Sequence, residues 1–104
     1  MKIPPNSYAV IFSSQSSGDD PEGYDVMAMQ MVDLAGTQPG FLGVESVRGE
    51  DGFGITVSYW ESEEAIHAWR ENVDHLEAQR LGKDKWYANY QLRIAKIERA
   101  YEFG

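Results

Sequence analysis

Cysteine is absent from the 104 residues. Its absence excludes disulfides, thiolate nucleophiles and zinc centres of the cysteine type. A chain without cysteine suits a cytoplasmic setting. Cations are scarce as well: nine Lys and Arg stand against 17 Asp and Glu, a formal net charge of −8. Binding of DNA or RNA rests on cations that neutralise phosphates, so no nucleic-acid partner is expected. The same surplus of carboxylates repels anionic membranes and favours solubility. No apolar run approaches the roughly 20 residues that a bilayer-spanning helix needs. The opening stretch MKIPPNSYAVIF passes straight into a strand pattern without a small-residue cleavage site, so it is not read as a signal peptide. Histidine occurs only at His67 and His75, with no third to complete a metal set, and no metal is expected. The glycines of GEDGFG lack the strand-to-helix context of a phosphate loop, and no nucleophile elbow is present.

What remains is the material of one soluble domain, residues 1–104, with 42% hydrophobic residues to build a core. After a loose lead-in with Pro4 and Pro5, Tyr8–Ser14 reads as a strand. Its two faces, Tyr8, Val10 and Phe12 against Ala9, Ile11 and Ser13, are both largely apolar, which predicts a central strand. The loop QSSGDDPEG leads to a helix from about Glu22 to Ala35, with Asp20 as N-cap and Pro21 at the first helical position. Gly36 is the expected C-cap and Gln38-Pro39-Gly40 a turn.

Phe41–Arg48 and Phe53–Trp60 form a hairpin around Asp51-Gly52. In the second of these strands Phe53, Ile55, Val57 and Tyr59 alternate with Gly54, Thr56, Ser58 and Trp60. Such alternation predicts that one set lies on helices and the other on something less apolar. Ser62 then caps a helix whose first turn carries Glu63 and Glu64. Ile66, Trp69, Val73 and Leu76 share one helical face, but Arg80 falls within that stripe. Asp74 with Glu77 resembles a second capping box, so a break near Asn72–Asp74 and a short further helix to about Leu81 are expected.

Trp86–Phe103 reads as a long last strand region. Tyr90, Leu92 and Ile94 set one parity and Ile97, Tyr101 and Phe103 the other, which predicts a bulge or bend across Ala95-Lys96. The part beyond that bend is then free to serve another surface, such as a partner subunit. The element order is strand, helix, strand, strand, helix, strand. This is the ferredoxin-like α+β arrangement, βαββαβ, a four-stranded antiparallel sheet with helices on one face. The other face carries an apolar load that a two-fold homodimer would bury.

Three features resemble the antibiotic-biosynthesis-monooxygenase-like proteins of the dimeric α/β-barrel superfamily. They are the turn QPGFLGVES, the strand-to-helix run GITVSYWESEEAIHAW, and the late His75 and Trp86. The resemblance covers about residues 7–103. It implies a homodimer whose two sheets form a dimeric α/β barrel, and a pocket in each subunit between helices and sheet. Relatives differ in activity: some oxidise polycyclic phenols to quinones with molecular oxygen and no cofactor, and some degrade haem. The haem-degrading relatives use an Asn on the first strand, a Trp on the second helix and a His ten residues after it. Here Trp69 matches the Trp, while the other two positions fall near Ser13 and on Gln79. A glutamine does not replace imidazole as an axial iron ligand.

Imidazole titrates near neutral pH, which makes His75 the candidate base toward a phenol or enol, if the helix break turns it inward. Trp60, Trp69, Trp86, Tyr59, Tyr87 and Tyr90 form an aromatic set suited either to a flat oxidisable ligand or to packing. Trp69, on the buried stripe, is the one expected to line a cavity. Arg93, Arg99 and Arg80 are candidates for stabilising an oxyanion or for pairing with carboxylates. The expected site is thus His75 and Trp69 as catalytic residues, with Ser13, Tyr59, Gln79, Trp86, Tyr90 and Arg93 around the substrate. The function expected is cofactor-independent oxygenation of an aromatic or enolic small molecule. A non-catalytic ligand-binding or stress-responsive dimer, and a haem-handling relative with altered ligands, are the alternatives.

Overall fold

The computed structural model describes residues 2–19, 21–79 and 87–104, with the side chains of the second helix described through Val73. The elements run β1 (Tyr8–Ser16), α1 (Pro21–Gly36), β2 (Phe41–Arg48), β3 (Phe53–Trp60), α2 (Glu63–Gln79) and β4 (Tyr87–Lys96). The four strands make one antiparallel sheet in the order β2-β3-β1-β4, with β1 in the interior as its two-sided apolar character predicts. The fold is therefore the expected ferredoxin-like α+β arrangement. Among the described residues, no helix is long and apolar enough to cross a membrane.

Local chemistry accounts for the connections. Gly52 takes φ +87°, and a Cβ there would stand 3.1 Å from Gln15 Nε2 and 3.2 Å from Ser16 Cβ. Its carbonyl accepts a bond from the Ser16 amide at 3.0 Å, and Gln15 Nε2 donates to the Asp51 carbonyl at 2.7 Å. The hairpin thus grips the end of β1, which continues two residues past the expected Ser14. Gly40 takes φ +85° where the turn after α1 touches α2, and its carbonyl accepts from the Glu61 amide at 2.8 Å. Ser62 caps α2 as predicted, its Oγ accepting from the Ala65 amide at 3.1 Å. The Asp20 cap and the Leu81-Gly82 terminus lie outside the described residues.

Three expectations are corrected. First, α2 runs unbroken from Glu63 to Gln79, so the break at Asn72–Asp74 is absent. Val73 is buried on the inner stripe, and Asn72 Nδ2 donates to Gln38 Oε1 at 3.2 Å, so both hold their helical places. Starting a second helix would cost a new nucleus, whereas propagation does not. Second, the parity switch across Ala95-Lys96 is where β4 ends rather than a bulge within a longer strand. There Ile97 and the lead-in exchange two bonds, Ile97 N to Ser7 O and Asn6 N to Ile97 O, both 2.8 Å. The register shift of the β1-β4 pair lies instead between Gln15 and Ser16, opposite Asn89 and Tyr87.

Third, Tyr59 of β3, expected beside the substrate, faces away from the helices. Trp60 is fully buried and stacks on Trp69 of α2, so Gly54, Thr56, Ser58 and Trp60 form the helix side. The apolar set Phe53, Ile55, Val57 and Tyr59 lies on the sheet's open face. The core is Val10, Ala35, Trp60 and Ile66, with Tyr8, Phe41, Trp69 and Leu92 packed around it. A second cluster joins Tyr24 and Met27 to Met31 and Tyr87.

Candidate functional site

Register determines which side chains share the helix side of the sheet. Val10 pairs with Ser58 and Ile94, Phe12 with Thr56 and Leu92, and Ser14 with Gly54 and Tyr90. Above these rows the two helices do not close completely. A cavity of about 160 Å3 lies between them and the sheet. Its floor includes Phe12, Ser14, Ser46, Thr56, Ser58 and Leu92, and its roof Met31, Trp69, Arg70 and Val73. Tyr24, Arg48, Tyr87 and Tyr90 stand at its side. An apolar cavity of about 150 Å3 is known to admit a benzene ring, so the space suits one aromatic ring.

The wall is ordered by aromatic and hydroxyl contacts. Phe12 meets Tyr87 and Tyr90 edge-on, with ring centroids 5.4 and 5.3 Å apart, and Tyr24 meets Tyr87 at 5.5 Å. Trp60 and Trp69 lie 5.1 Å apart, tilted by 31°. Trp60 Nε1 donates to Ser58 Oγ at 2.9 Å, and the hydroxyls of Ser46 and Thr56 bond each other at 2.8 Å. Trp69 Nε1, by contrast, is buried and meets no acceptor among the described residues. A buried donor left in that state costs about 1–3 kcal/mol. Among the described residues it is the one buried side-chain nitrogen or oxygen without a partner on a residue that lines the cavity.

The expected site residues divide. Trp69 and Tyr90 do line the cavity. Ser13, Tyr59 and Arg93 belong to the opposite parity and lie on the open face of the sheet, in the rows Ser13-Ile55, Ala9-Tyr59 and Ile11-Arg93. There Arg93 Nη2 donates to Gln91 Oε1. Burial, and then the neighbouring Glu45 carboxylate, raise the Tyr59 phenol above its usual range. The side chains of His75 and Gln79, and Trp86, lie outside the described residues. The break that was to turn His75 inward is absent. His67 is on the surface, its Nε2 3.1 Å from Glu71 Oε1.

Two functional candidates escaped the sequence reading. Arg48 shares the parity of Ser46, and its guanidinium lies over the Tyr24 ring, 4.0 Å from the centroid. Arg70 stands four residues after Ile66 and three before Val73, and so follows the same helical stripe. Both signals were present as spacing. They were hidden because a cation is expected on the solvated side of its element.

The family model described as antibiotic biosynthesis monooxygenase matches residues 19–81. The uncharacterized protein YqjZ of Bacillus subtilis (strain 168) is 55% identical over 95 residues, covering 91% of this chain and 82% of the relative. Jasmonate monooxygenase ABM of Pyricularia oryzae is 26% identical over 94 residues, covering 86% of this chain but only 43% of that longer protein. Among solved structures, SnoaB, a cofactor-independent oxygenase from Streptomyces nogalater, has a TM-score of 0.74 at 13% identity, over 91% of this chain and 96% of that one. At that identity the likeness is one of fold.

Proposed function

This chain belongs to the antibiotic biosynthesis monooxygenase family, and on that premise we propose that it oxygenates an aromatic or enolic small molecule in the cavity beneath Trp69, without a cofactor. The observation that carries this reading is a largely apolar cavity of ring size lined by Trp69, whose Nε1 is buried without a partner among the described residues. In this scheme a base takes a proton from an activated CH2 of the substrate. The carbanion is then the reductant for dioxygen. One oxygen atom stays on carbon as a carbonyl and the other leaves with the two hydrogens as water, so CH2 and O2 become C=O and H2O. A donor held in a site shielded from water stabilises the oxyanion as it develops. Trp69 Nε1 has that role here, and His75 enters only as the base to be tested, since the unbroken α2 removes the turn that was to bring it inward.

The names of two related proteins support small-molecule oxygenation: a jasmonate monooxygenase and a cofactor-independent oxygenase. The working unit in this proposal is a homodimer. Its support is the open sheet face, where Ile11, Val47, Ile55 and Val57 stand with no covering element among the described residues, and the exposed Tyr101 and Phe103 of the tail.

The test is oxygen uptake against a panel of phenols, quinols and enols for wild type, Trp69→Phe and His75→Ala. Uptake by the wild type that falls in Trp69→Phe supports the scheme. Equal rates in wild type and His75→Ala would remove His75 from it. Ligand binding without uptake across the panel would favour the non-catalytic reading. A Soret band on adding haem, lost in Trp69→Ala, would favour the haem-handling one.

A further inference from the structure

The cavity that the preceding reading assigns to an oxidisable ring carries a charge pattern which that reading does not use. The protein has 17 acidic and nine basic residues, yet the charged side chains lining the cavity among those described are both arginines, Arg48 and Arg70. The remaining lining is apolar or hydroxylic. We propose that the cavity's ligand is a monocarboxylate: an apolar body of about one ring, with its carboxylate held by Arg48 and Arg70. This rests on the small-molecule reading of the cavity and adds the class of molecule.

The Arg48 guanidinium is held in place before any ligand arrives. Its carbon lies 4.0 Å from the centroid of the buried Tyr24 ring, and Nη1 donates to Asp25 Oδ1 at 3.3 Å. Cation–π contact orients the planar group. Asp25 is largely solvated, and such a surface pair is weak, so it does not saturate the arginine. A guanidinium has five N–H donors in a fixed fork that matches the two oxygens of a carboxylate. Among the described residues Asp25 takes one of the five.

Charge balance selects a monoanion. The two lining guanidiniums, less the Asp25 carboxylate paired with Arg48, leave one positive charge, which one carboxylate neutralises. A phosphate dianion would exceed it. The body of the ligand then lies on Phe12, Leu92, Met31 and Val73. The arginines thus set orientation, while Trp69 Nε1 is left for an oxygen on the ring.

The experiment is calorimetric titration, under nitrogen, of 4-phenylbutyrate and of its uncharged amide. Nitrogen removes turnover, so the result is independent of oxygenation. Wild type at pH 7 is expected to bind the acid at least about tenfold more tightly than the amide, a margin that shrinks with added salt. Arg48→Gln and Arg70→Gln should each erase most of that preference and leave the amide's affinity unchanged. Lysine at either position should retain charge but lose the fork, and give an intermediate preference. Arg93→Gln, on the other sheet face, should behave as wild type. Equal affinity for acid and amide, a preference kept in both glutamine variants, or no binding of either compound would overturn the proposal. Carboxylate binding with no oxygen uptake on any panel member would instead overturn the oxygenase reading and leave this one standing.

Discussion

Trp69 concentrates the chemistry of the site in one atom. Its ring is held by Trp60, while its N–H is buried and unmet among the described residues. Trp69→Phe keeps a ring against Trp60 and deletes only the donor and part of the ring area. Removing an oxyanion donor typically costs roughly 10²–10³ in kcat. A loss of that order is expected for the best panel substrate. Thermal unfolding should shift little, because the lost contact area is offset by removal of a buried donor that costs about 1–3 kcal/mol. A large drop in Tm with unchanged kcat would show that the indole serves packing alone.

Tyr59 makes a separate prediction at the same scale. Its pKa is raised in the fold by burial and by Glu45. The folded state therefore holds the proton more tightly than the unfolded one. Stability attributable to this is fully present below the unfolded value of about 10 and declines as pH rises from there through the folded value. Tyr59→Phe should flatten that alkaline limb in denaturant midpoints and leave the neutral range unchanged.

At the scale of elements, the turn at Gly40 joins α1, β2 and α2. A Cβ at Gly40 would stand 2.7 Å from Ala65 Cβ, and its φ of +85° is itself costly for an L residue. Gly40→Ala should combine about 1–2 kcal/mol of backbone cost with about 1–3 kcal/mol of overpacking. In a domain of this size that lowers Tm by roughly 8 °C or more. Gly18 has a similar φ, +82°, but open space around its Cβ position. Gly18→Ala should bear the backbone part only, so the difference between the two melts reads the helix contact. Equal shifts would mean that α2 moves aside without cost. Helix α2 itself shows how a capping pattern misleads: Asp74 and Glu77 are compatible with a helix interior, and its continuity from Glu63 to Gln79 needed only that nothing compel a break.

For the whole molecule, the sheet has one face under helices and one without cover among the described elements. Val47 is 75% exposed on that open face, and Phe53 and Ile55 are 43% exposed each. The proposed homodimer buries this face. Light scattering should give twice the 11.8 kDa chain mass for wild type. Ile55→Lys, in the row Val47-Ile55-Ser13-Gln91, should give the monomer mass. A monomeric wild type would overturn the dimer and leave the cavity as the property of a single chain.

Much of this was legible from the residues. Periodicity placed both helices and Ser62 the start of the second, Asp51-Gly52 placed the hairpin, and the two apolar faces of Tyr8–Ser14 placed that strand inside the sheet. The Pro-Gly-Phe turn and the Trp60-to-Trp69 spacing carried the family resemblance, and Trp69 was identified as a cavity residue. Alternation, however, says which residues share a face and not which face meets the helices, because the two parities of a strand are equivalent until other elements pack. That choice followed from how Trp60 and Trp69 stack, a contact across the fold. It sent Ser13, Tyr59 and Arg93 to the open face. It also brought Arg48, at the end of an outer strand, and Arg70, on a helix, to one cavity. Local sequence thus determined the elements and their order. Packing of distant side chains decided where the cavity lies and which charges it holds.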